Sequence, residues 1–351
     1  MIPLVSICLP SLNTRPFLEE RMETIFSQTV TDWELIVCDS YSDDKSWEFF
    51  QKFKADKRVR LFQVPREGLY AGWNECLRRV RGEYVYIATS DDTMQPTLLE
   101  CLLVPLGRLP EVDIALCDYD EFNEHGQPIA RGRRFSDQIL GEWIHIPSVR
   151  SGQTEFLLHM CSVTLWITMN SLLFRRRLLE RVGHFTTKFG SFGDVDWTLR
   201  SSLATDIAWV PQKLAGFRRH KGQATPQIFP YGPAHWNLLA RVQRSVLRDE
   251  CAGIPPLWKT MPHWEKQLLA YCRWNYLWSL RLNRQDALRN PREFLAHCWD
   301  GARQEPRWLL DRVLQVLGAS AEDGIDPVSH ARELIKFFKA PWPPKGVENR
   351  W

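Results

Sequence analysis

Short apolar runs alternate with helix-patterned stretches over the first 120 residues of the chain. The runs at 4–9, 33–38, 59–64, 83–88 and 112–119 predict five strands, with Pro10 and the Ser11–Thr14 turn closing the first. Between them, the spacing predicts helices over 16–26, 44–55, 69–80 and 96–109. Pro16 stands at the start of the first helix, where its missing N–H costs nothing. Continuous apolar strands separated by helices indicate βαβ units and a parallel sheet covered on both faces. Such sheets bind ligands beyond the carboxyl ends of their strands. The polar residues at those ends are Asn13, Asp39, Asp91 and Asp92.

Beyond residue 120 the pattern loosens. Residues 121–165, with the cluster Arg131-Gly132-Arg133-Arg134, read as an irregular connection, and 121–150 as a lid. A strand over 169–174, helices over 175–182 and 194–203, and two short strands over 207–210 and 214–218 follow. After Pro230 the chain is helical by pattern and crowded with tryptophan. A boundary near residue 228 divides it into an α/β unit, 1–228, and a Trp-rich helical region, 229–351, with an acceptor, membrane-surface or oligomerisation role. Trp264, Leu268, Trp274 and Trp278 recur near helical spacing beside Lys266, Arg273 and Arg281. That stripe suits, first, packing onto the α/β unit, with a peripheral contact with an anionic membrane surface as the sharper alternative.

Charge and cysteine narrow the picture. A formal net charge of +3 is too small to imply nucleic acid as a partner. Residues 231–351 hold eighteen Lys/Arg against thirteen Asp/Glu, a surplus of five in that region. Nine cysteines lack any CxxC pair and suit buried thiols in a reducing compartment. The apolar N-terminus lacks a basic lead-in and reads as a first strand, and no run reaches eighteen apolar residues. The expectation is a cytoplasmic protein, or one peripheral on the cytoplasmic face of a membrane.

Four segments carry chemistry. Ser90-Asp91-Asp92 follows the fourth strand, and two adjacent carboxylates there need a positive partner. A hard divalent cation, Mn²⁺ or Mg²⁺, shared with substrate phosphates meets that need; a helix N-cap explains only one of the two. Asp39 ends the second strand and suits hydrogen bonds from a ribose or base, whereas Ser42 to Asp44 suit a turn and cap. Asp194 and Asp196 open a helix but diverge by about 200°, so only one can face a site. Acids favoured by the helix dipole are the plain alternative. Arg218-Arg219-His220-Lys221 suits a pyrophosphate or the metal, or is a solvated charge run.

In this order the segments resemble family 2 inverting glycosyltransferases of the GT-A fold. The resemblance covers residues 3–225, through Val5–Asn13, Ser27-Gln28-Thr29, Trp33–Asp39, Gly68, Asn74, Arg81–Tyr84, Ser90-Asp91-Asp92, Asp194–Trp197 and Arg218/His220. It implies a Rossmann-like, mostly parallel sheet flanked by helices, here with a C-terminal helical extension. It also implies a nucleoside-diphosphate-sugar donor, UDP-linked by preference, and a carbohydrate or lipid-linked acceptor. By the resemblance Pro10, Asn13 and Asp39 would line the nucleotide pocket, and Asp91 would contact the donor. Asp92 and His220 would be the metal residues, Asp194 would be the base, and His220 with Arg218 and Arg219 would assist the diphosphate. Thr89, Tyr41 and Gly193 depart from the pattern, standing where the family often has Asp, Gly and an acid. A nucleotidyltransferase is the enzymatic rival, but Pro10–Thr14 lacks the Gly-rich basic loop it needs. A decayed sugar-nucleotide-binding protein is the non-enzymatic one.

Overall fold

The protein is described from a computed structural model, which covers residues 2–130, 132, 134–223, 232–248, 268–279, 291–304 and 326–347. The expected boundary near 228, Arg131, Arg133, Trp258, Trp264, Lys266, Arg281, Trp308 and Trp351 lie outside the described residues, as does the Trp278 side chain.

The strands β1 (Val5–Ser11) and β2 (Trp33–Asp39) are buried along their whole length. Their alternation divides the apolar side chains between two faces. Ile7, Leu9, Leu35 and Val37 pack with α1 (Leu18–Phe26) and α4 (Leu98–Arg108). Cys8, Ile36 and Cys38 pack on the other face with α3 (Leu69–Leu77). β1 lies between β2 and β4 (Tyr84–Ile87), parallel to both, and β3 (Val59–Gln63) pairs parallel with β2. Beyond β4 the sheet is mixed. β8 (Leu172–Arg175) runs antiparallel between β4 and β6 (Ile114–Asn123), and β9 (Ile207–Arg219) pairs parallel with β6.

Three expectations change. Pro10 does not end β1, which runs on to Ser11 along β2. The ladder to β4 does stop there. Ala88 N–H donates to Cys8, and the next bond on that side would need an N–H that Pro10 lacks. The two short strands expected over 207–218 are the single strand β9: Pro211 and Gln212 bulge out opposite the Cys117/Asp118 step, and pairing resumes. Most of 121–165 is structured rather than irregular. β6 reaches Asn123, α5 spans Phe135–Leu140, β7 spans Ser148–Arg150, and α6 (Gly152–Met160) is buried at every residue but Gln153.

The C-terminal region joins the same core. Leu239 and Val242 of α9 (Pro233–Arg248), Leu268, Cys272, and Leu334 and Ile335 of helix Pro327–Phe337 are buried in the cluster that holds α3. Leu268 packs inward, while Leu295 and Trp299 of helix Pro291–Gln304 are exposed. Among the described residues no helix is long and apolar enough to cross a membrane, and the seven cysteines whose side chains are described are free thiols.

Candidate active site

Strand order β3-β2-β1-β4 turns at β1, so the crevice beyond the ends of β1 and β4 is where a ligand fits. The acidic loop leaves β4 there and is pinned at its far end. β5 (Thr93–Met94) pairs antiparallel with Gly216 and Ala215 of β9. The approach is close enough to require glycine: a Cβ on Gly216 would meet Thr93 Oγ1 at 2.2 Å.

Pinning brings β9 onto the acid pair. His220 Nε2 lies 2.9 Å from Asp91 Oδ2, across 129 residues of sequence. Asp92 is 2% exposed. Its Oδ1 accepts the Arg218 backbone N–H at 2.8 Å, and its other oxygen accepts the Thr89 hydroxyl. Burial, then the adjacent Asp91 charge, pushes Asp92 up to about 7. The Arg218 guanidinium does not relieve that charge: its Nε donates to the Asp91 carbonyl at 2.8 Å, and it pairs with Glu20 between the rings of Phe17 and Phe122.

On the β1–β2 side the loops are tied by short side chains. Asn13 is left-handed at φ 55°; its N–H donates to Ser42 Oγ at 2.9 Å and its Oδ1 accepts from Asp43 N–H at 3.0 Å. Asp39 is fully buried and accepts both the N–H and the hydroxyl of Ser42, at 2.9 and 2.6 Å. Burial raises the Asp39 carboxyl above its ordinary range, against those two hydrogen bonds. Tyr41 is also left-handed, φ 50°, and Arg66 grips its carbonyl and that of Ser40.

The third group arrives on α8 (Gly193–Ala204). Asp196 turns inward and pairs with Arg200 Nη2 at 2.6 Å, one turn on. Asp194 faces the cleft, and burial raises its carboxyl, partly offset by the nearby Tyr70 hydroxyl. That hydroxyl donates to Ser191 O at 2.9 Å. Gly193 is required here, because a Cβ would lie 2.5 Å from both Thr186 O and Tyr70 Cδ2. Where the family often carries an acid, this chain carries a tyrosine ring from α3.

Two compartments result. One, of about 500 Å³, is lined by Pro10, Asn13, Ser40, Arg66, Asp91 and His220. The other, of about 310 Å³, is lined by Asp91, Asp92, Asp194, Arg219 and the apolar side chains of Tyr70, Ile167, Phe192 and Phe217. They share Leu69, Trp73, Thr89, Asp91 and Gln223. Of the residues expected from sequence, only the Asp39 and Arg218 side chains stand behind these walls. Arg66, Tyr70, Trp73 and Gln223 were not expected. The one signal for Tyr70 and Trp73 was the Gly68-Leu69-Tyr70-x-x-Trp73 helix start, and an aromatic pair at that spacing is ordinary core.

Comparison with known proteins bears on the family and the fold. The family model described as glycosyl transferase family 2 matches residues 6–181. The chain is similar to the chondroitin synthase of Escherichia coli, 33% identical over 103 residues, 29% of this chain. The match spans 15% of that protein, far short of two thirds of its length. In fold it is similar to S. aureus TarS 1–349 in complex with UDP-GlcNAc: TM-score 0.59, 15% identity, 88% of this chain and 82% of that one. It is also similar to the mannosyltransferase PcManGT of Pyrobaculum calidifontis in complex with GDP-Man and Mn²⁺: TM-score 0.55, 19% identity, 97% and 89% coverage.

Proposed function

We propose that this chain, which belongs to glycosyl transferase family 2, moves a sugar from a nucleoside diphosphate, UDP, to an acceptor hydroxyl with inversion at the anomeric carbon. One observation carries the reading. Asp91 forms part of both compartments, whereas Asp194 lines only the second, so a donor anchored in the first would present its sugar towards Asp194.

The residues divide the work by position. Pro10 and Asn13 shape the nucleotide compartment, and Asp39 acts through Ser42, holding the loop that Asn13 also grips. Arg219, whose Nε pairs with Glu121 at 3.0 Å, lines the second compartment with Asp194 and does not line the nucleotide compartment. Arg218 keeps the acidic loop in place. The donor set fits a hard divalent cation. Two adjacent carboxylates reach the cleft without a guanidinium on either, and the hydrogen bonds from Thr89 and Arg218 N–H orient Asp92 as a metal-binding carboxylate is oriented. Among the described residues no three ligating side chains converge, so phosphates of the donor would have to complete the shell. Asp91 and Asp92, with His220 beside them, would hold Mn²⁺ or Mg²⁺, which when bound would neutralise charge on the leaving diphosphate.

Asp194 takes the proton of the attacking hydroxyl, a contribution of about 10²–10⁴-fold. Its raised carboxyl pKa makes it a better base than a solvated aspartate, and Tyr70 limits how far it rises. A single base opposite the leaving group gives inversion. The acceptor is a carbohydrate chain or lipid-linked sugar of cell-surface polysaccharide assembly, a class supported by the chondroitin synthase relative. We place the catalytic unit in 1–228 and acceptor or membrane contacts in 229–351, where Leu295 and Trp299 are exposed. The test is release of nucleoside diphosphate from a panel of UDP- and GDP-sugars. It should require Mn²⁺ or Mg²⁺ and fall at least about 100-fold in Asp92→Asn. Release that persists unchanged in chelator would defeat the metal assignment.

A further inference from the structure

Gln223 is 5% exposed, and its Oε1 is buried without a hydrogen-bond partner among the described residues. A buried amide oxygen left in this state is costly, and native proteins retain few of them. The position is not incidental. Gln223 N–H donates to His220 O at 3.3 Å, so the turn that delivers His220 to Asp91 also delivers this side chain. Gln223 lies in the wall of both compartments, at the junction with Thr89, Asp91, Leu69 and Trp73.

This inference rests on the donor reading above and deepens it. If the diphosphate occupies the first compartment and the base the second, the anomeric carbon sits between them. The junction then holds the ring of the transferred sugar. Leu69 and Trp73 offer that ring apolar surface, and Gln223 offers it an unmatched amide. A hydroxyl both donates and accepts, so it satisfies the amide whichever of its two atoms faces the cleft. We infer that Gln223 is a specificity-determining residue, whose buried amide at the junction of the two compartments hydrogen-bonds a ring hydroxyl of the donor's sugar.

The experiment is calorimetric titration, in Mn²⁺, of the wild-type chain and Gln223→Leu with UDP, GDP, UDP-glucose, UDP-N-acetylglucosamine and GDP-mannose. The variant should bind the preferred sugar nucleotide about tenfold more weakly, one buried hydrogen bond's worth, and bind the free nucleoside diphosphate within about twofold of wild type. A purely structural residue would weaken both together. Donors deoxygenated at each ring position in turn give a second readout that needs no folded variant. On the wild type, one deoxy position should cost about tenfold; on Gln223→Leu that same position should cost nothing further. Equal loss for nucleotide and sugar nucleotide, no loss for either, or no sensitive deoxy position would overturn the assignment of Gln223. Failure of the wild type to bind any nucleotide or sugar nucleotide would instead overturn the donor reading, and this inference with it.

Discussion

Replacing Gly193 by alanine sets two effects of opposite sign against each other. Helix propensity favours the change by up to about 1 kcal/mol, since Gly193 is the first residue of α8 with φ −66°. Sterics oppose it. The new Cβ would lie 2.5 Å from Thr186 O, a backbone atom, and 2.5 Å from Tyr70 Cδ2. Tyr70 cannot swing aside, being 4% exposed, stacked on Phe185 and edge-on to Trp73. Relief must come from moving the start of α8, which carries Asp194. Overpacking of this kind costs about 1–3 kcal/mol, so the net expectation is a loss of about 1–2 kcal/mol. Displacement of Asp194 by about 1 Å should also lower turnover about 100-fold. Urea unfolding followed by tryptophan fluorescence measures the first, and donor turnover the second. Gly107→Ala in α4 is the control. It has nothing within 4 Å of the added Cβ, so it should gain by propensity alone and turn over normally. A Gly193→Ala protein stabilised like the Gly107→Ala control, with wild-type turnover, would refute the packing argument and the link between Tyr70 and Asp194.

Two further expectations separate structure from chemistry. Asp196→Asn breaks a largely buried ion pair with Arg200 and should cost about 3 kcal/mol or more of stability, while the folded fraction keeps its turnover; loss of activity without loss of stability would exchange its role with that of Asp194. His159 is 1% exposed, its Nδ1 accepts Leu165 N–H at 3.0 Å, and burial lowers it from 6.5 to about 3. The folded state therefore holds it neutral. Its contribution is complete above pH 6.5 and is lost as acid protonates the unfolded chain, by about 3 kcal/mol at pH 4.5. His159→Asn should flatten the fall in unfolding free energy between pH 6.5 and 4; an unchanged slope would contradict the burial assignment.

The parts of this site that announce themselves in sequence are those whose chemistry is local. Asp91 and Asp92 stand out because two adjacent charges after an apolar run have few reasons to exist, and β1 and β2 because they are apolar throughout. The ambiguity between Asp194 and Asp196 is also local, and the angle between successive helical residues narrowed it to a choice of one. What chose was Arg200, one turn on, which takes Asp196. Residues that act only through distant neighbours left no trace. Nothing in the sequence joins His220 to Asp91, Tyr70 to Gly193, or Gln223 to the junction of two cavities; each depends on β9 and α8 arriving beside the β1–β4 crevice. Proline misled at Pro10, where one ladder ends while the other continues, so a residue that removes one donor was read as ending a strand; over 211–212 the chain bulges and resumes, which two separate apolar runs do not reveal.

Asp194→Asn, assayed by single-turnover transfer alongside calorimetric donor binding, bears most directly on the claim that a cation-anchored donor presents its sugar to that carboxylate. Transfer should fall about 10²–10⁴-fold while affinity for the nucleotide sugar in Mn²⁺ stays within about twofold. Transfer at the wild-type rate, or loss of donor binding in step with loss of transfer, would contradict it.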